Sequence, residues 1–218
     1  LEALKDSPDT RHIPVHIVSV EDATLDAFQK GAIGHLTKPA TREGIEEAFS
    51  KLEAVFDRSI KDLLVVEDDD NLRASIIKLI GNGDVHADEA ATGAETIQAI
   101  GSKRYDCMIL DLGLPDMTGF ELLKTLEAQD EVLIPPVIVY TGRELSREEE
   151  NELRSYSESI IIKGVRSEER LFDEVSLFLH RIVSKMPEMK RRMIADLHDT
   201  DTMFRDKTIL IVDDDMRN

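Results

Sequence analysis

The chain of 218 residues is long enough for one large domain or one compact domain with pieces of others, and its 41% apolar content is ordinary for a globular protein. Acidic residues outnumber basic ones 45 to 27, a net charge of −18 that argues against nucleic acid as a partner, because phosphate backbones need Lys and Arg patches. The single cysteine, Cys107, excludes a disulfide framework and a cysteine-based zinc site and fits a reducing, cytoplasmic setting, and no apolar stretch approaches the ~20 residues that would let this segment contact a membrane as a span.

Residues 1–58 begin as if in mid-helix and continue with a strand over 15–18 that runs into Ser19. A helix over 23–30, a short strand over 33–36 ending in Lys38-Pro39 and a helix over 42–56 follow, the last placed for capping by Thr41. This is a β-α-β-α segment without a beginning.

Residues 62–182 supply a complete alternation. Leu63, Leu64, Val65 and Val66 read as a buried strand, and Leu72, Ile76, Leu79 and Ile80 share one face of the helix that Gly81-Asn82-Gly83 ends. A weaker strand lies at 85–90 and an apolar one at 107–110, with further strands at 137–140 and 159–162. Thr92 with Glu95, Thr118 with Glu121, and Ser146 with Glu149 have the spacing of capping boxes and place three helix starts. Ser167 opens a last helix with an apolar stripe of Leu171, Val175, Phe178, Leu179 and Ile182. The fold class is α/β, a doubly wound parallel sheet with helices on both faces.

Residues 183–206 are charged and read as a partly helical linker, and 207–212 read as another strand running into Asp213-Asp214-Asp215. Self-comparison links these ends: Ile211-Val212-Asp213-Asp214 echoes Val65-Val66-Glu67-Asp68, and Pro14-Val15-His16-Ile17-Val18-Ser19 echoes Pro136-Val137-Ile138-Val139-Tyr140-Thr141. One domain-sized unit recurs. The back half of a first copy occupies 1–58, a whole second copy 62–182, and the first strand of a third 207–218.

In the complete copy the strand ends deliver Glu67 and Asp68, Asp111, Thr141 and Lys163 to one sheet edge, where open parallel sheets bind ligands. Three carboxylates held together raise their own pKa values unless a cation joins them. Mg2+ is the natural cation, since it takes one or two carboxylates with waters and phosphate oxygens and leaves Asp111 ionised as a nucleophile. Phosphoryl transfer asks mainly for positioning and charge neutralisation, which Lys163 and the Thr141 hydroxyl supply.

Val65-Val66-Glu67-Asp68, Asp111 with Pro115 and Gly119, Thr141-Gly142 and Lys163 together resemble the receiver domain of two-component response regulators. The resemblance implies a flavodoxin-like five-stranded sheet of order 2-1-3-4-5, flanked here by partial copies of the same fold. It implies Asp111 as phosphoacceptor, Asp68 as the main metal carboxylate, Glu67 as a ligand directly or through water, and the Gly113 backbone carbonyl as a further ligand. Partners implied are a histidine kinase or histidine phosphotransfer domain as phosphodonor. Several receivers in a row resemble the C-terminal part of hybrid sensor histidine kinases, so neighbouring receivers of the parent and a homodimer formed through exchange of the chain ends are further expected partners.

This sequence departs from the family pattern at three places. Glu67 stands where aspartate is usual, Gly164 follows Lys163 where proline is usual, and Ile160 occupies the aromatic switch position three residues before the lysine. Arg143, two residues after the hydroxyl position, is expected over the phosphoryl group. No glycine-rich nucleotide-binding motif is visible, so no kinase catalytic domain is expected within the segment. Alternative readings are a receiver-like interaction module that is not phosphorylated, and an aspartate-nucleophile phosphohydrolase. Gly113 argues against the second, because such enzymes resemble Asp-x-Asp with a second acid there. His198-Asp199 faintly resembles a phosphodonor pair but lacks the surrounding motif.

Overall fold

Strand alternation divides the apolar residues between two layers. On β3 (Lys61–Val66), Leu63 and Val65 face one core and Leu64 and Val66 the other, and all four are fully buried. A computed structural model describes residues 1–20, 24–57, 60–129 and 133–198. The expected strand over 207–218 and Asp199 lie outside the described residues.

The N-terminal segment holds a short helix α1 (Glu2–Lys5), then β1 (His16–Ser19), α2 (Thr24–Gln29), β2 (Gly34–Thr37) and α3 (Arg42–Asp57). β1 and β2 pair in parallel, from His16 with Gly34 to Ser19 with Thr37. The Thr41 hydroxyl accepts the Gly44 N–H at 3.1 Å, as its capping position predicts.

After β3 come α4 (Asp70–Ile80), β4 (Val85–Ala90), α5 (Gly93–Ser102), β5 (Cys107–Leu110) and α6 (Gly119–Glu127). β6 (Val137–Thr141), α7 (Arg147–Leu153), β7 (Ser159–Ile162), α8 (Ser167–Phe178) and α9 (Glu188–His198) follow. The five strands β3 to β7 form one parallel sheet ordered β4-β3-β5-β6-β7, the 2-1-3-4-5 order the resemblance implies. One face buries Ile76, Ile80, Leu171, Phe172 and Val175 of α4 and α8, and the other buries Ile100, Leu122, Leu126 and Leu153 of α5, α6 and α7. Burying such a side chain contributes roughly 1.5 to 3 kcal/mol, so these two layers dominate stability.

Three local expectations change. Thr118 and Ser146 form full capping boxes, but at Thr92 the box is split: Thr92 Oγ1 accepts the Glu95 N–H, whereas Glu95 reaches back to the N–H of Ala91. The neighbouring N–H groups of Gly93 and Ala94 go instead to Asp116, at 2.8 and 2.9 Å. Ser167 opens α8 as expected, with Arg166 at the cap position in left-handed conformation (φ 60°), but Ile182 of the expected apolar stripe lies beyond the helix end at Phe178. The stretch read as a linker adds Val183, Met186 and Ile194 to the α4/α8 core, with α9 packed on α8.

Candidate functional site

Parallel pairing carries Glu67, Asp68, Asp111, Thr141 and Lys163 to the same edge. Beyond the strands the ladder continues for one bond: Glu67 N–H donates to Ala90 O at 3.1 Å, Asp111 N–H to Val66 O at 2.9 Å, and Lys163 N–H to Thr141 O at 2.7 Å. The backbone of each residue is thus pinned to the neighbouring strand.

Lys163 Nζ donates to Glu67 Oε2 at 2.9 Å and to Asp111 Oδ1 at 3.2 Å. Asp111 Oδ2 accepts the Gly113 N–H at 3.2 Å. Carboxylate oxygens of Glu67, Asp68 and Asp111 all lie within 4.8 Å of one another. Glu67, Asp111 and Thr141 are 3%, 8% and 2% exposed, while Asp68 faces solvent. The Thr141 hydroxyl accepts the Arg143 N–H at 3.3 Å.

Three carboxylates against one ammonium leave surplus negative charge, and the proton affinities respond. Burial raises the Glu67 pKa, with the Asp111 charge adding to it, and the Lys163 contacts offset only part of the rise. For Lys163, burial acts to lower the pKa, but the Glu67 hydrogen bond and the Asp111 and Glu67 charges outweigh it and hold the pKa above the ordinary lysine value. A divalent cation fits this donor set: hard oxygen ligands, buried on one side and open on the other.

Arg143 is not over the site. Its guanidinium pairs with Glu149, at the start of α7, rather than with Glu67, Asp68 or Asp111. The Lys163-Gly164 peptide is trans; among the described residues the one cis peptide is Lys38-Pro39. Gly164 has open space where a Cβ would stand, so no steric need explains the glycine.

Sequence reasoning missed three neighbours. Asp69 leaves the acidic run to cap α4, accepting Asn71 and Leu72 N–H groups at 2.8 and 2.9 Å; an acid three residues before an apolar helical position was the available signal. Arg73 donates to the Glu67 carbonyl at 2.6 Å, and Tyr140 places its ring centroid 5.4 Å from Lys163 Nζ. Neither carries a sequence signal, because both contacts cross between elements.

The family description "Response regulator receiver domain" matches residues 63–176, a span that contains all of Glu67, Asp68, Asp111, Thr141 and Lys163. This chain belongs to the response regulator receiver domain family. It is 27% identical over 107 residues to the two-component response regulator PhoP of Pseudomonas aeruginosa, covering 49% of this chain and 47% of that protein. Similarity to the transcriptional regulatory protein PmrA of Pectobacterium parmentieri is 37% over 82 residues, 38% of this chain and 36% of the relative. The aerobic respiration control sensor protein ArcB of Escherichia coli K12 is 30% identical over 139 residues, 59% of this chain and 17% of that sensor. Against the Francisella response regulator 1452 receiver domain the TM-score is 0.50 at 25% identity, over 56% of this chain and 98% of that structure. The chain spans about half or less of the length of these curated relatives. The unit from β3 to α8 is a receiver, the phosphoacceptor module of two-component signalling. Among the described residues no helix is long and apolar enough to cross a membrane.

Proposed function

We propose that Asp111 is the phosphoacceptor of this receiver and that Thr141 and Lys163 complete the reacting group. The observation that carries the reading is the pair of hydrogen bonds from Lys163 Nζ to Asp111 and Glu67, which joins the ends of β3, β5 and β7 around one carboxylate. A carboxylate oxygen of Asp111 attacks phosphorus of a donor phosphohistidine; the P–N bond breaks as the P–O bond forms, and the imidazole leaves with the bonding pair. Lys163 offsets the charge on the transferred group, and the Thr141 hydroxyl donates to one of its oxygens.

Glu67, Asp68, Asp111 and the Gly113 carbonyl are the residues that would hold Mg2+. When bound, the ion supplies neutralisation of phosphoryl charge. Donors compatible with the family are a histidine kinase or a histidine phosphotransfer domain. The ArcB similarity over a longer stretch supports a parent of the hybrid sensor kinase type, in the cytoplasm or on its face of a membrane.

The segment 1–58 is read as the back half of a preceding receiver, 183–206 as an inter-domain linker whose α9 docks on the second receiver, and 207–218 as the start of a third. Support comes from the parallel β1-α2-β2-α3 order and from Ser19 and Lys38 at strand ends matching Thr141 and Lys163. The parallel pairing of β1 with β2 is that of neighbouring strands in such a sheet, and neighbouring receivers or a homodimer are the partners this reading implies.

Intact mass after incubation with a small acyl phosphate and Mg2+ tests the assignment. One phosphoryl group is expected on the wild-type chain and none on Asp111→Asn; a full signal from that variant would overturn it.

A further inference from the structure

Tyr140 precedes Thr141 on β6, and strand alternation turns its side chain to the α4/α8 layer, where it packs with Leu171 and Phe172. Its ring lies under the Lys163 ammonium, 5.4 Å from Nζ, and its hydroxyl shares a 3.0 Å hydrogen bond with Ser167 Oγ at the first turn of α8. Tyr140 and Ser167 are 4% and 5% exposed, so neither hydroxyl has water as an easy substitute. Between Lys163 and Ser167 the loop passes through Arg166, in left-handed conformation, which donates to the Asp196 carbonyl of α9 at 3.0 Å. Ile160, at the position where many receivers carry an aromatic switch, packs in the opposite layer with the core that contains Leu153 of α7.

We propose that Tyr140 is the positioning residue for Lys163, and that the loop 163–167 carries the phosphorylation state of Asp111 to α9 rather than to α7. The inference rests on Asp111 being the phosphoacceptor. In this structure the ammonium is shared between Glu67 and Asp111 above and the Tyr140 ring beneath. A phosphoryl group on Asp111 adds negative charge on one side of Lys163 and draws it off the ring. Tyr140 cannot follow alone, because its hydroxyl is tied to Ser167. Ser167 and Arg166 therefore move with the lysine, and the exposed Arg166 contact with Asp196 is the weakest bond in the series. Besides this contact α9 is held by buried Ile194, by Lys190 donating to the Ile80 and Gly81 carbonyls and by His198 on Asp173, so loss of the Arg166 contact loosens the turn around Asp196 while the rest of the helix stays docked.

Amide hydrogen exchange of residues 188–198, measured on the full chain with and without the phosphoryl group and with intact mass recorded on each sample, tests this. Phosphorylation of the wild-type chain should change exchange of α9 by about threefold or more while leaving α7 unchanged. Ser167→Ala, which touches no reacting group, should gain the phosphoryl mass at the wild-type rate yet lose the α9 response. Tyr140→Phe should lose the same response, and the double variant should add nothing further, since both changes remove one hydrogen bond. Tyr140→Leu should in addition slow phosphoryl uptake several-fold, because Lys163 loses its ring support. A normal mass gain with no α9 response in the wild type, or a response that survives Ser167→Ala and Tyr140→Phe, would overturn the proposal. A wild-type chain that gains no mass would remove the phosphoacceptor reading and this proposal with it.

Discussion

Charge balance at single residues decides how the site behaves. Glu67 and Asp111 share one ammonium, and Lys163→Met would remove the cation that pairs with both carboxylates. Phosphoryl uptake by that variant is expected to fall by roughly 10²-fold at saturating Mg2+, measured as the rate of mass gain. Arg143 leads to the opposite expectation. Because Glu149 holds its guanidinium, Arg143→Ala should leave the half-life of the phosphorylated form within about twofold of wild type. A many-fold change would show that the side chain leaves Glu149 once the phosphoryl group is present. Away from the site, burial pushes the Glu158 carboxyl up to about 7, opposed by the Val137 N–H that it accepts. A carboxyl whose folded pKa lies above its unfolded value favours the folded state at low pH and loses that contribution as pH rises from about 4.5 to about 7. Glu158→Gln keeps an acceptor for Val137 and should be more stable than wild type by about 2 kcal/mol at pH 8, with no gain at pH 4, in urea melts.

At the scale of elements, helix starts and one close turn position the loops that carry the site. The Leu112–Gly119 loop returns on itself, with Gly119 N–H donating to Leu112 O at 3.0 Å. A Cβ on Gly119 would stand 2.6 Å from Leu112 Cδ2 and 3.0 Å from Leu112 Cα. Side-chain rotation can relieve the first contact but not the second. Gly119→Ala is therefore expected to cost about 1 to 3 kcal/mol and to displace Asp111, the residue before Leu112, read as a lower urea midpoint together with slower phosphorylation. The Asp116 carboxylate bridges this same loop to α5 by taking the Gly93 and Ala94 N–H groups, and these bonds hold its pKa below the usual carboxylate value. The loop after β5 is thereby fastened at both ends.

Across the whole molecule, one buried ionic group joins three segments distant in sequence. Arg11 of the N-terminal segment pairs with Asp173 of α8, and His198 at the end of α9 reaches both, 2.9 Å from Asp173 Oδ2 and 3.1 Å from the Arg11 guanidinium. Burial acts to raise the Asp173 pKa, but the His198 hydrogen bond and the Arg11 charge outweigh it and keep the group ionised below its ordinary range. Removing one partner of such a pair leaves an uncompensated buried charge, at roughly 3 to 5 kcal/mol. Arg11→Met is expected to loosen the N-terminal segment from α8, seen as faster amide exchange in β1 and β2, while the sheet from β3 to β7 keeps its protection. Equal loss of protection in both sheets would show that the two fold as one unit. His198 is thus engaged in holding segments together.

The alternation of strands and helices, the strand ends at Glu67, Asp111, Thr141 and Lys163, and two of the three capping boxes were legible in the sequence alone. Each depends on residues close in the chain: periodicity of apolar positions, a cap and its partner three residues on, an acid after an apolar run. The order of the sheet came only by resemblance, since periodicity does not say which strands are neighbours. What the tertiary structure alone decided are contacts between elements. Asp116 taking the α5 N–H groups, Arg143 turned to Glu149, Tyr140 under Lys163 and the Tyr140 hydroxyl bound to Ser167 all follow from packing. The charged stretch after residue 183 shows the limit most clearly. Its polar composition reads as a linker, yet Ile194 is fully buried with Met193 packed beside it, and Lys190 and His198 bond to Ile80, Gly81 and Asp173, contacts between elements that composition does not reveal.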